Sequence, residues 1–231
     1  MPRKLEIPGD RRLPLEALVY ELGLEAFFLL SFTVSPKRGA ISVSAITENA
    51  VSRHRLTIEA FHRMGEAGIF LEDDRVELID GEIIDMAPIG SKHAATVAEL
   101  SRLFVVAVET QARVWIQNPI RLGGKSEPQP DVALLRPRDD RYAAALPLPE
   151  DVLLIVEVAD TTLAYDRDVK VPLYARHGVP EVWLFDLEHS RLHIYTAPSE
   201  RSYLECRILA EPGLIAPGAL PQCAVDMTGI V

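Results

Sequence analysis

Hydrophobic and polar positions fall into regular periods only from about Leu56 onward. Thr57 stands where an N-cap belongs, and Gly68 supplies a C-terminal stop, so a helix is expected through about Ala67. Arg75–Met86 reads as two β-rich runs joined by Asp80-Gly81, the residue pair that a tight hairpin turn favours. Pro88 and Gly90 close that hairpin. Ser91 is then expected to cap a long helix, roughly Lys92 to Gln111, in which Val97, Leu100, Leu103, Phe104 and Val108 recur at helical spacing. Val114–Leu122 and Asp131–Leu135 read as strands, with a loop over Gly123–Pro130 between them. After a Pro- and charge-rich loop, Val152–Val158 is apolar at all positions but one, the pattern of a central strand covered on both faces. A helix over about Asp166–His177 ends at Gly178 and Pro180. Val182–Leu187 and Arg191–Thr196 follow as a strand pair, and Tyr203–Leu209 is a last strand before Pro/Gly-rich turns.

This order predicts an α/β (α+β) domain with a mixed central sheet flanked by helices, over about Arg53–Thr196. Residues 1–52 are expected to be a poorly ordered N-terminal extension, and residues 197–231 a strand-and-turn extension packing on the domain. Hydrophobic residues make up 48% of the 231, enough for a proper core and too many for a disordered chain. Trp115 and Trp183 are expected in that core. The apolar run Ala26–Phe32 falls short of the roughly 20 residues a membrane span needs. A soluble, cytoplasmic chain with no membrane partner is therefore expected. Cys206 and Cys223 lie far apart and in no C-x-x-C pair, which predicts reduced thiols and excludes a thiolate zinc site. P-loop, dinucleotide-binding, H-E-x-x-H and G-x-S-x-G motifs are absent from the sequence.

Candidate chemistry comes from charges set within apolar strands. Glu157 lies inside the most apolar strand, and Asp131 opens another directly after Pro130. A carboxylate in a low-dielectric site must be paired, protonated or metal-bound. Two carboxylates on adjacent strands make a site for Mg²⁺ (or Mn²⁺), whose ligands are hard oxygens. The plainer reading of each is a buried salt bridge or a strand-end cap. Glu77, between Val76 and Leu78, is a third acid, or else the solvent face of an edge strand. Lys170 lies four residues after Asp166; the two read as a surface ion pair, or else Lys170 stands beside the carboxylates and orients or activates the attacking water. Tyr174 reads as packing. His93 is either a capping, partly buried histidine or a neighbour of the metal site or of DNA phosphates. Metal polarises a phosphoryl oxygen and acidifies water, and a lysine stabilises developing negative charge, so these parts suit phosphodiester hydrolysis.

Read together, Arg75-Val-Glu-Leu-Ile-Asp-Gly-Glu-Ile, Gly90-Ser-Lys-His93, Pro128-Gln-Pro-Asp131-Val-Ala, Ile155-Val-Glu157-Val, Tyr165-Asp-Arg-Asp-Val-Lys170 and Gly178-Val-Pro-Glu181-Val-Trp-Leu resemble the Uma-two family of restriction-endonuclease-like proteins. That family is a branch of the PD-(D/E)XK nucleases. The resemblance implies a restriction-endonuclease-like fold with Asp131 and Glu157 as metal ligands, Glu77 as a further acidic ligand and Lys170 as the catalytic lysine. It implies a Mg²⁺-dependent endonuclease acting on DNA; the alternative is a nuclease fold with a degenerate site, serving as a binding or regulatory protein. The superfamily lysine stands two residues after the glutamate, on the same strand face; here that position is Ala159, so Lys170 has to reach the site from the next helix. Cleaving both strands of a duplex needs two active sites, which makes a homodimer the expected assembly. The net charge of −10 stands against a DNA partner unless basic residues line the contact face.

Overall fold

The computed structural model describes residues 30–34, 41–45, 52–71 and 73–230. Most of the segment expected to be a poorly ordered extension lies outside them. Within it, β1 (Leu30–Val34) and β2 (Ile41–Ala45) pair antiparallel, in a unit separate from residues 54–231.

In the larger unit, α1 (Ile58–Glu66) starts where Thr57 caps it, the hydroxyl accepting from the Ala60 N–H at 3.2 Å. β3 (Val76–Ile79) and β4 (Glu82–Asp85) form the expected hairpin. Its turn residues Asp80 and Gly81 both have positive φ, 48° and 78°. The turn is pinned from outside: Gly81 N–H donates to Lys125 O, Leu56 N–H to Gly81 O, and Asp80 N–H to the Ser126 hydroxyl. A long helix, α2 (Ser91–Val108), follows. Ser91 does not cap it. Gly90 holds the cap position with no side-chain bond, and the helix stops at Val108 because Glu109 turns to φ 46°.

The central sheet has six strands in the order β10-β9-β8-β7-β6-β5. These are β5 (Arg113–Ile116), β6 (Val132–Leu135), β7 (Val152–Ala159), β8 (Glu181–Asp186), β9 (Arg191–Pro198) and β10 (Tyr203–Leu209). Only β7 and β8 run parallel, so the sheet is mixed. β5 is shorter than the apolar pattern predicts. Gln117 takes φ 49° and Pro119 has no N–H, which together end the ladder. β7 is buried at every position, as an unbroken apolar strand must be.

Each sheet face carries its own apolar layer. Val97, Leu100, Phe104 and Val108 of α2 cover one face together with Leu220, Cys223, Val225 and Met227 from the C-terminal segment. That segment includes the short pair β11 (Leu214–Ile215) and β12 (Val225–Asp226). Against the other face pack Val171, Leu173 and Tyr174, with Ile120, Leu122 and Val179. Those first three belong to a rod that starts earlier than expected: α3 (Leu163–Tyr165), a π-helical stretch Asp166–Lys170 and α4 (Val171–Arg176) run on with helical dihedrals at their junctions. Among the described residues, no helix is long and apolar enough to cross a membrane.

Candidate active site

Asp131 immediately precedes β6. The antiparallel register pairs Val132 with Val156, so Asp131 lies opposite Glu157 at the next step. Directly opposed residues point to the same face. That face is the one covered by the rod of α3, the π-helical stretch and α4, because Ala133 and Ile155, two positions away on each strand, belong to its apolar layer.

The rod itself delivers three polar side chains to this face. Asp166, Lys170 and Tyr174 are spaced by four, which in an α-helix drifts off one stripe. A π-helical stretch is wider, with the Val171 N–H bonding back to Asp166 O, and brings such a series nearer to one line. All three are buried, at 5%, 5% and 0% exposure. The reading of Asp166 and Lys170 as a surface pair is thereby overturned. Glu77, on β3, is 3% exposed and is no solvent-facing residue of an edge strand.

The hydrogen bonds converge on one ammonium. Lys170 Nζ lies 3.2 Å from Glu77 Oε2 and 3.3 Å from Glu157 Oε1. Tyr174, expected only to pack, donates its hydroxyl to Glu157 Oε1 at 2.5 Å. Glu77 also accepts the Gln129 N–H at 3.1 Å. Gln129 stands between Pro128 and Pro130, so its amide is the one donor that this short segment has to offer. Asp131 is held separately: Oδ2 accepts the Val158 N–H at 2.9 Å and meets His93 Nε2 at 3.1 Å, and Oδ1 accepts from the Gln117 amide at 3.3 Å. Glu77, Asp131, Glu157, Asp166, Lys170, His93, Tyr165 and Arg75 line a single cavity of about 400 Å³. Thus the four predicted residues open onto one space. Asp166, Tyr174, Gln129 and Tyr165 were not singled out as site residues by the sequence; the one signal for Asp166 and Tyr174 was their four-residue spacing from Lys170.

One ammonium faces several carboxylates, and proton affinities follow. Burial pushes the Glu157 carboxyl up to about 8, helped by Asp166 and Asp131 and opposed by Lys170. Burial alone would lower Lys170, but Glu157, Glu77, Asp166 and Asp131 outweigh it and hold the ammonium above its ordinary range. Lys170 therefore stays charged while Glu157 tends to keep its proton. Burial likewise raises Asp166. The hydrogen bond to Asp131 raises His93.

A nuclease-type divalent cation finds suitable donors here. Among the described residues no three of His, Cys, Asp or Glu form a ready-made ligand cluster. Mg²⁺ asks for less, taking one or two carboxylates and completing its shell with water. Asp131 and Glu157 are such a pair; burial lifts Glu157, Asp166 and Asp131 add to the lift, and a cation would relieve that added negative charge. Two buried polar atoms beside them, Tyr165 Oη and His93 Nδ1, have no hydrogen-bond partner among the described residues.

The fold has a solved counterpart. A crystal structure titled as a "putative nuclease belonging to DUF820" from Anabaena variabilis superposes with a TM-score of 0.58, covering 74% of this chain and 95% of that one at 18% identity. No curated protein matches the chain. A family model does, over residues 58–228, from α1 to beyond β12, and its description is "Putative restriction endonuclease": by that match this chain belongs to the Uma2 family.

Proposed function

We propose that this protein is a divalent-metal-dependent nuclease that hydrolyses DNA phosphodiester bonds at the cavity between the β3–β4 hairpin, β7 and the π-helical stretch. The family description and the nuclease-like neighbour support nuclease chemistry. The observation that carries the reading is the convergence of Asp131, Glu157 and Glu77 on one cavity with Lys170 between two of them.

Asp131 and Glu157 would hold the cation, with Glu77 close enough to Lys170 to join them through it. Mg²⁺ or Mn²⁺ bound there would polarise a phosphoryl oxygen and acidify a water. The chain's own residues set the stage. Val158 N–H and His93 fix the Asp131 carboxylate, and Tyr174 fixes Glu157. Lys170 brings a permanent positive charge to where a phosphate would gain negative charge, an effect strongest in a water-poor site. Glu77, itself held by the Gln129 N–H, and Glu157 hold that ammonium in place. A homodimer supplying two such sites would cut both strands of a duplex.

A second reading keeps the fold and gives up the chemistry, leaving a binding or regulatory protein. It draws on the lack of a ready three-ligand cluster among the described residues and on the ion pairs that already occupy Glu77 and Glu157. Supercoiled plasmid incubated with Mg²⁺ or Mn²⁺ separates the two. The nuclease reading expects nicked and linear product from the wild type and none from Asp131→Ala or Lys170→Ala. Intact plasmid under every metal, with DNA still retarded in a gel shift, would hand the case to the binding protein.

A further inference from the structure

Strand β10 ends the six-stranded sheet. β9 pairs with one side of it, and among the described residues no strand pairs with the other. Such an edge presents free N–H and C=O groups as a template for another strand. The side chains say what would match. Leu204 and Ile208 are 76% and 52% exposed. Cys206, midway between them, is exposed as well. Glu205 and Arg207 flank the cysteine. Glu205 accepts from Thr196 on β9, whereas no bond among the described residues holds Arg207.

Read antiparallel, Leu204-Glu205-Cys206-Arg207-Ile208 is complementary to itself. A two-fold axis through Cys206 sets Leu204 opposite Ile208 of a second copy, Glu205 opposite Arg207, and Cys206 opposite its equivalent. Apolar against apolar and acid against base are the cross-strand pairs that antiparallel sheets favour. An axis through Glu205 or Arg207 would instead place like charges face to face. In a chain of net charge −10, this strand is also locally neutral, so two copies meet here without charge repulsion at the contact.

We propose that β10 pairs with β10 of a second copy about an axis through Cys206, joining two sheets edge to edge into one. The contact is isologous, as a two-fold dimer requires. It names the surface for the dimer that the nuclease reading invokes, but its test reads association and not cleavage, so either can fail alone.

Sedimentation velocity of the full chain in reducing buffer, in a concentration series up to about 100 µM, measures the dimer directly. The wild type is expected to dimerise. Arg207→Glu creates two acid–acid contacts and is expected to weaken association about tenfold or more. Glu205→Arg combined with Arg207→Glu restores the opposite pairs and is expected to recover most of the affinity. Unchanged melting of each variant shows that the fold is intact; should Arg207→Glu melt early, Leu204→Lys carries the test instead. A second readout uses Cys206: when reductant is removed and diamide added, two facing thiols lose two protons and two electrons to the diamide and form a disulfide across the axis. Cys206→Ser should abolish that link, since Cys223 is 1% exposed. A wild type that stays monomeric at the highest concentration overturns the proposal. So does an Arg207→Glu protein that associates as tightly as wild type, or a dimer that diamide fails to link.

Discussion

Replacing Lys170 by Met keeps most of the side chain's length and removes its ammonium, both the charge and the N–H donors. The ammonium is 5% exposed and lies within 3.3 Å of both Glu77 and Glu157. Breaking a buried ion pair from one side costs about 3–5 kcal/mol, because the charge left behind has lost its counterion and cannot reach water. Here the cost depends on pH. Lys170 is what opposes the upward shift of the buried Glu157 carboxyl, so without it that carboxyl is raised further above its unfolded value. A raised carboxyl favours the fold while protonated, and the benefit is lost as pH climbs through the folded-state pKa. The variant should therefore be hurt least in acid, by about 1–2 kcal/mol at pH 5.5, and most in base, by about 3–5 kcal/mol at pH 8.5. For a chain of this size the larger figure corresponds to a melting shift of roughly 6–20 °C. Urea unfolding followed by tryptophan fluorescence at the two pH values, with EDTA present, measures both. A loss below about 1 kcal/mol at pH 8.5, or an equal loss at both pH values, would refute the picture of one ammonium neutralising several buried acids.

Other consequences follow from the same structure. Glu157 is pushed up to about 8 from 4.5 by burial, so metal-free wild type should lose stability as pH rises between those values, by at most about 1.4 kcal/mol per pH unit from this group. Glu157→Gln should flatten that slope in a pH series of unfolding curves; an unchanged slope would count against the shift. Gly81→Ala should cost about 3 kcal/mol, since φ is +78° and an added Cβ would come within 2.8 Å of Leu56 O and of Arg55 Cβ; a melting temperature like that of the wild type would show the turn to be looser than described. Thr57→Ala removes the cap on the Ala60 N–H and should cost about 1 kcal/mol, with Thr57→Ser recovering most of it in thermal melts.

Local chemistry made part of this fold legible before any coordinates. Asp80-Gly81 announced a hairpin because few other pairs accept two left-handed residues in a row, and both residues are found there. Val152–Val158 announced a central strand because only a strand covered on both faces keeps so apolar a run, and β7 is buried throughout. What escaped was set by tertiary contact. Leu220 and Cys223 sit in turns, and Val225 and Met227 in or just after the two-residue strand β12, with no period to betray them, yet with α2 they complete the layer on that sheet face. Asp166 carries no local mark that separates a buried acid from a surface one, because its burial comes from the neighbouring hairpin and sheet. Gln129 is informative only once Glu77 is known to lie beside it, across 52 residues of chain.

The position of the lysine is the most instructive departure. In a Glu-x-Lys strand the lysine shares the face of the glutamate; here Ala159 holds that place, 1% exposed in the apolar layer beneath the rod. A small residue at that point leaves room over the strand for a side chain arriving from elsewhere, and Lys170 arrives from the helical rod, its Nζ 3.3 Å from Glu157. The ammonium is thus anchored on the rod and not on the strand, with its charge beside the same carboxylate. Its new anchor brings company that a strand lysine would lack: Tyr174 one turn on, bonded to Glu157, and Asp166 one turn back, buried in the same cavity. The π-helical stretch is what lets three residues four apart serve one face, and π-helical turns are frequent at functional sites. The lysine's place on the rod, the local widening of the helix and the buried tyrosine are thus one structural solution, in which each part fits the other two.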